Sequence, residues 1–318
     1  MSWRPSSGAS VAQKRASMLE HARAFFKSRS VLEVDTPALG RYAVSDPQIE
    51  GHRVRTGTGR ELYLQTSPES FMKRLLADGY PDIYAICRVF RDGEAGRLHQ
   101  PEFTMVEWYR QGYELDAIVA ETVAFIADVL GRPELQNAVE DYDYHDAMKR
   151  FAGIAPSTAT IDDLADASSA DSHLRETLGD DTEAWLDLLL STRVAESFAA
   201  DRLTVLRHYP VEQAALARTC PADPSLADRF EVFYGCTELA NGYVELIDVA
   251  EQQRRIQTDL QKRRTSGRHD NAADEHLLGA LEAGLPECAG VAVGFERLLM
   301  IATGNDDIRD VVTFAFEE

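Results

Sequence analysis

The sequence predicts an α+β fold in which helices flank a sheet, and three observations carry that prediction. Two β-type runs, ICRVF at 86–90 and FTMVEWY at 103–109, are joined by a polar, Gly-containing loop and read as one long hairpin. Amphipathic segments at 11–29 and 115–130 lie before and after it. Further strand-type runs, LTVLRHYP, RFEVFYG and GVAVG, return late in the chain, and the last runs directly into a helix. The 318 residues suffice to bury a full core, and the reading is one domain over 1–318 with a helical insertion at about 132–200.

The elements follow in order. Ala12, Ala16, Leu19, Ala22 and Phe26 recur at helical spacing and define the first helix. In VLEVDTPAL, Val31, Leu32 and Val34 favour a strand, and Pro37 ends it by removing a ladder donor. Residues 40–60 are Gly-rich and polar, hence a loop or short hairpin, before LYLQT supplies another strand. Ser67-Pro68-Glu69 then reads as a helix start, with the helix reaching about Ala77. Beyond the hairpin, a helix with apolar Leu115, Ile118, Val119, Val123 and Ile126 stops at Gly131 and Pro133. Residues 132–200 are rich in Ala, Asp, Glu and Ser with helical patches such as TEAWLDLLLSTRVAESF. Asn241-Gly242 reads as a polar turn ahead of the helix EQQRRIQTDLQKRR. No internal repeat or low-complexity tract is present.

Composition excludes several function classes. With 33 Lys plus Arg against 53 Asp plus Glu, the net charge of -20 and pI near 4.8 disfavour nucleic acid, so no tRNA is expected. The one basic run, QKRRTSGR at 261–268, reads as a solvated helix end. Cysteines 87, 220, 236 and 288 form no C-x-x-C pair, which indicates neither a zinc site nor a disulfide framework and fits a reducing compartment. The start, MSWRPSSGAS, lacks an apolar signal core, and Glu121 and Asp128 interrupt the most apolar helix. A cytoplasmic protein without a membrane role is expected.

The hairpin carries the chemistry. Between Arg88 and Tyr109 it gathers three arginines, a histidine and several aromatic residues. A hairpin built for stability alone closes with a short Asn-Gly or Asp-Gly turn. A long loop rich in anion-binding side chains points instead to a polyanion, with a nucleoside triphosphate the first candidate.

Three clusters in order now resemble a known pattern. FFKSRSVLEVDTPAL resembles motif 1 of the class II aminoacyl-tRNA synthetases, a dimer-forming helix and strand ending in proline; the hairpin resembles motif 2; and GVAVGFERLLM resembles motif 3. The resemblance implies that family's catalytic core, a mixed, mostly antiparallel sheet flanked by helices, and a homodimer. RLHQPEFTMVEWY and ELANGYVEL are closest to the lysyl branch. The short length resembles the lysyl-tRNA synthetase paralogues that attach beta-lysine to a lysine of elongation factor P and lack an anticodon-binding domain. Lysyl-tRNA synthetases carry glycine where this chain has Ala292, a position at which the paralogues share the alanine.

What the resemblance implies for the site can be given residue by residue. ATP and Mg²⁺ are the expected cofactors. Arg91 bridges the substrate carboxylate and the α-phosphate through its planar fork. Arg97 and His99 reach the outer phosphates, Gln100 contacts adenine, Phe103 stacks beneath it and Arg297 covers its other face. Gly294 admits the nucleotide close to backbone, and Asp92, Gly93 and Leu239 complete the ATP contacts. Glu231 and Glu238 match the family's paired metal-ligating carboxylates. Glu245 and Tyr109 hold the side-chain ammonium of lysine or beta-lysine, Glu69 and Glu107 the other amine, and Asn241 with Arg91 the carboxylate, while Ser67, Pro68 and Ala292 shape the wall. The family's R-x-E is here Arg91-Asp92-Gly93, with Glu94 one place later.

Physical reading of the same residues keeps alternatives open. An acid in the first turn of a helix, as Glu69 is, is favoured by the macrodipole without any ligand. Arg91 and Arg97 also fit a solvated hairpin tip, Arg297 an ordinary helix charge, Glu231 and Glu238 surface acids, and Ala292 a core alanine. An ammonia-dependent asparagine synthetase resembles the same core, but four converging acids, Glu69, Glu107, Glu238 and Glu245, penalise aspartate and prefer a dication. A catalytically silent regulatory paralogue usually lacks the motif 2 or motif 3 arginine, and both Arg91 and Arg297 are here.

Overall fold

The computed structural model describes residues 3–214 and 216–316. The chain runs through α1 (Ala9–Ser28), β1 (Leu32–Glu33), β2 (Leu39–Gly40), β3 (Arg53–Arg55), β4 (Glu61–Leu64) and α2 (Glu69–Ala77). The long hairpin follows as β5 (Ile83–Phe90) and β6 (Glu102–Gln111), then α3 (Leu115–Leu130) and β7 (Val139–Asp143). Four short helices come next, α4 (Tyr144–Ala147), α5 (Ile161–Ala167), α6 (Ser172–Leu178) and α7 (Thr182–Leu189). The last part holds β8 (Leu203–Pro210), β9 (Leu226–Tyr234), β10 (Thr237–Val244), α8 (Val249–Thr265), α9 (Glu275–Gly284), β11 (Cys288–Gly294) and α10 (Phe295–Thr303).

Eight strands form one sheet in the order β1-β5-β6-β11-β10-β9-β8-β7, antiparallel from β5 to β8 and parallel at its two ends, where β1 meets β5 and β7 meets β8. A second sheet, β2-β4-β3, stands beside it. Because side chains alternate along a strand, each strand sends one set to either face. Tyr84, Val106, Trp108, Val291, Val293, Phe230 and Val232 face α1, α3 and α10 and form the main core. Phe26 of α1 stacks on Tyr84 at 4.2 Å between centroids, and Trp108 lies 5.0 Å from Phe125. Glu121, which interrupts the apolar run of α3, accepts a 3.1 Å hydrogen bond from the Trp108 indole and pairs with Arg110 at 3.3 Å. The interruption is a buried polar anchor.

Local chemistry explains the helix ends. Gly131 closes α3 in the left-handed region at φ 68, and Asp248 caps α8 by accepting from the Glu251 amide at 2.8 Å. Lys262, Arg263 and Arg264 occupy the last turn of α8, where cations offset the helix dipole.

Three expectations are corrected, and one helix is added to them. Asn241-Gly242 is no turn: both lie inside β10, and the chain reverses at Gly235, whose φ is +54. Gly242 serves close packing instead, because a Cβ there stands 2.7 Å from the Gly290 carbonyl, Phe230 and Val291. The segment 132–200 is not wholly helical, since β7 pairs with β8 at the edge of the main sheet; its alternation in VEDYD is too short and too polar to stand out. The strand expected in VLEV shrinks to two residues at the sheet edge. Helix α9, capped by Asp274, was not anticipated; it buries Leu277 and Leu281 against Met72 and Leu76 of α2. Among the described residues no helix is long and apolar enough to cross a membrane.

Gly242→Ala should lower unfolding stability by about 1–3 kcal/mol through overpacking, whereas Gly57→Ala, with nothing within 4 Å of its new Cβ, should change it by less than about 0.5 kcal/mol. Urea titrations of the two variants check this.

Candidate active site

The face of the sheet turned away from the main core carries a cavity of about 350 Å³. Register builds its floor. Glu107 pairs with Ala292, Ala292 with Asn241, and Asn241 with Glu231, so four side chains from β6, β11, β10 and β9 share one face in one row. Two residues along, Tyr109, Gly290, Tyr243 and Arg229 form the next row; on the other side, Met105 pairs with Gly294. Gly290 is required there, since a Cβ would stand 2.5 Å from the Tyr109 ring and 2.7 Å from Glu245 Oε1.

One half of the cavity is acidic. Glu107 accepts hydrogen bonds from the Tyr109 hydroxyl at 2.7 Å and the Ser67 hydroxyl at 3.0 Å. Glu69 accepts from Tyr243 at 2.5 Å, and Lys73, one turn further along α2, bridges Glu69 at 2.6 Å and Glu245 at 2.5 Å. Three carboxylates against one ammonium leave two net negative charges when all are ionised. Burial pushes Glu107 and Glu245 up to about 8, with the charge of Glu69 adding to both. Their hydrogen bonds and Lys73 oppose the shift without cancelling it. Burial alone favours neutral Lys73, but Glu245 and Glu69 more than offset this and hold its ammonium charged. Glu245 Oε1 is buried without a hydrogen bond, an acceptor left for a ligand.

The other half is basic and aromatic. The Arg91 guanidinium lies 5.2 Å above the Phe103 ring and 3.6 Å from Glu94, and its buried Nε has no partner. Arg297 donates to the Glu238 carbonyl at 2.8 Å, lies 3.4 Å from its carboxylate, and meets His99 Nε2 at 2.8 Å. Burial and the Arg297 charge lower the His99 pKa, favouring an imidazole that accepts from Arg297. Gln100 Oε1 accepts from the Phe316 amide at 2.8 Å, which ties the C-terminal segment to the hairpin loop.

Of the residues singled out by sequence, fifteen line the cavity: Ser67, Glu69, Arg91, His99, Gln100, Phe103, Glu107, Tyr109, Glu238, Leu239, Asn241, Glu245, Ala292, Gly294 and Arg297. Pro68, Asp92, Gly93, Arg97 and Glu231 do not. Pro68 is the N-cap of α2, behind the wall. Asp92 is exposed and 3.8 Å from His52, and Arg97 donates to the Asp306 carbonyl at 3.1 Å. Gly93 turns at φ +78, and the residue after it, Glu94, lines the cavity where the family's glutamate is missing. Glu231 has both oxygens taken, by Arg229 at 2.6 Å and Tyr209 at 2.6 Å. Burial pushes it up to about 7. Glu231 pairs with Asn241 and Glu238 with Phe233, across a bulge between Glu238 and Ala240, so the two carboxylates are not cross-strand partners.

Sequence reasoning missed Lys73, Arg229, Tyr243 and Glu296. Lys73 lies four residues after Glu69, the spacing of a helical ion pair, which was a usable signal. Arg229 donates to Asn241 Oδ1 at 3.2 Å, a contact made only by the register. Glu296 of α10 accepts from the Thr104 amide at 2.8 Å and pins motif 3 to the hairpin.

A mostly antiparallel sheet with an arginine-bearing hairpin, and a terminal strand and helix closing the same cavity, defines a class II synthetase catalytic core. All of residues 1–318 match the family described as tRNA synthetases class II (D, K and N), and the chain belongs to that family. It is 40% identical over 319 residues to the elongation factor P--(R)-beta-lysine ligase of Photorhabdus laumondii subsp. laumondii, covering 98% of this chain and 97% of that protein. The protein of the same name from Edwardsiella ictaluri is 40% identical over 322 residues, covering 99% and 98%, and that of Salmonella arizonae is 39% identical with the same coverage.

The raised carboxyls have a stability consequence. Protons bound by folded Glu107 between pH 4.5 and about 8 are absent from the unfolded chain, so its contribution is present below pH 4.5 and lost as pH rises towards about 8. Glu107→Gln should therefore flatten the fall in melting temperature between pH 5 and 8 relative to the parent, measured by thermal melts without ligand; parallel curves would exclude this role.

Proposed function

We propose that the chain is an AMP-forming ligase that activates (R)-beta-lysine, or lysine, with ATP and transfers it to a lysine ε-amine of translation elongation factor P. The observation that carries the reading is the division of one cavity into an acidic half, around Glu69, Glu107 and Glu245, and a basic half, around Arg91 and Arg297. A substrate with two ammonium groups and a carboxylate matches both halves, and the relatives' names supply the acceptor and the isomer. Lys73 offers nothing to aspartate, because two carboxylates already hold it. That argues against an asparagine synthetase, and the retained Arg91 and Arg297 argue against a silent paralogue.

In this reading Glu245 and Tyr109 take one ammonium, Glu69 and Glu107 the other, and Asn241, held by Arg229, orients the carboxylate beside Arg91. Substrate charge then keeps the acids ionised, and binding releases protons below pH 8. The carboxylate attacks the α-phosphorus in line and pyrophosphate leaves. The work is positioning and charge neutralisation, with the Arg91 fork bridging both reactants. Phe103 and Arg297 form the adenine platform, His99 and Gln100 border it, and Leu239 and Gly294 give the nucleotide close backbone approach. Magnesium accompanying ATP would supply charge neutralisation at the phosphates. Glu238, 40% exposed, is available to hold it, while Glu231 joins only when Arg229 releases it. The methyl of Ala292, between Glu107 and Asn241, narrows the space beside the amine and suits a shifted amino group.

The whole chain acts as one catalytic unit in the cytoplasm, with 132–200 as an insertion. Two copies pair through the motif 1 segment, covering Leu32 and Leu39, which are 45% and 40% exposed. Light scattering should give twice the chain mass, and Leu32→Asp should shift it to the monomer.

Pyrophosphate exchange with a panel of amino acids, followed by mass measurement of elongation factor P, tests the function. Lysine isomers, and not aspartate, should support exchange, and the factor should gain one lysyl mass. Arg91→Ala should abolish exchange with an unchanged circular dichroism spectrum. Exchange with aspartate alone, or with no lysine isomer, would falsify the reading.

A further inference from the structure

Part of the cavity wall lies outside the residues given a role above. Val44, Asp46 and Ile49 of the 44–49 loop and Asp259 of α8 also line it, and this part of the wall forms its loop–α8 arm. None of these four is assigned to nucleotide or amino acid in the reading above. Asp259 is only 8% exposed, and its Oδ2 is buried with no hydrogen-bond partner. Carboxylates in that state are costly unless something brings them charge.

The cations nearby are committed elsewhere. Lys262 pairs with Glu183 at 2.6 Å. Arg255 donates to the Ala214 and Ala217 carbonyls, both at 2.9 Å, and to Glu251 at 2.7 Å. Arg263 donates to the Asp46 carbonyl at 2.8 Å, and Asp46 Oδ1 accepts from the Gln48 amide at 2.7 Å, which fixes that carboxylate at the edge of the arm. Burial and the neighbouring Asp46 and Glu183 push Asp259 up to about 7, against the weaker pull of Lys262 and Arg255. An extra positive charge is therefore the ligand that this arm favours.

We propose that this arm is the port through which the acceptor lysine reaches the acyl adenylate, with Asp46 and Asp259 receiving its ammonium and Val44 and Ile49 flanking its methylene stem. The proposal rests on the ligase reading above. A lysine fits because it places a compact cation at the end of a flexible four-carbon stem. For transfer the ammonium gives up one proton to solvent, and the neutral amine attacks the acyl carbon. The carbon–nitrogen bond forms, the bond from the acyl carbon to the phosphate oxygen breaks with its electron pair leaving on AMP, and the nitrogen loses a second proton. Asp46 and Asp259 are positioning residues, which concentrate and aim the amine before it reacts.

Full-length Asp259→Asn and Asp46→Asn, each nearly isosteric with the parent, are compared in two assays on the same preparations. One is pyrophosphate exchange with the lysine isomer that the parent uses; the other is transfer to elongation factor P. The kcat/KM for the acceptor should fall at least tenfold further than exchange does, chiefly through KM, and Asp259→Glu should recover part of it. Transfer at the parental rate, or exchange and transfer falling together in both variants, overturns the port. Absence of exchange with any lysine isomer in the parent protein overturns the ligase reading itself and is seen before any variant is measured.

Discussion

Register across β6, β11, β10 and β9 is the constraint on which the rest of the site depends. It places Glu107, Ala292, Asn241 and Glu231 in one row, and Tyr109, Gly290, Tyr243 and Arg229 in the next. A slip of one residue in any strand would turn its members into the opposite face, towards Trp108, Val291 and Phe230. The apolar face therefore holds the polar face in place. The same logic explains Gly242 and Gly290, one on each face, each sitting where a neighbour approaches too closely for a Cβ.

The second constraint is buried charge. Three carboxylates crowd one end of the cavity, and Lys73 is the internal cation that makes their crowding tolerable. Glu107 and Glu245 remain pushed up to about 8, so the empty site holds protons that a dicationic substrate displaces. Selectivity in the proposed reaction then arises from electrostatics prepared before the ligand enters. Arg229 does comparable work at the far side, where it holds both Asn241 and Glu231.

The hairpin and the C-terminal helix show how distant segments meet. Arg297 reaches Glu238 and His99, Glu296 fixes the Thr104 amide, and Phe316 caps Gln100. Each contact spans roughly 60 to 216 residues of sequence. Adenine and phosphate groups recruited separately by the hairpin and by α10 thus come to share one cavity.

Much of this was legible without coordinates, because alternation and helical spacing are local and report directly which face of an element is apolar. The long hairpin, α1 and α3, the charged loop and the acids of ELANGYVEL all stand out in the chain. Asn241-Gly242 has the local chemistry of a turn, and only the packing of Gly290 and Phe230 against it makes it a strand. Helix α9 and strand β7 were missed for a related reason: each is short and owes its stability to a neighbour, α2 in one case and β8 in the other. The sequence by itself determined the residue types, their order and the local elements that carry them. Tertiary structure decided which side chains oppose one another, that Lys73 neutralises part of the acidic pocket, that Glu231 is held by Arg229, and that Asp259 lies unpartnered in a cavity wall. Those facts depend on distances between segments far apart in the chain, and no local pattern encodes them.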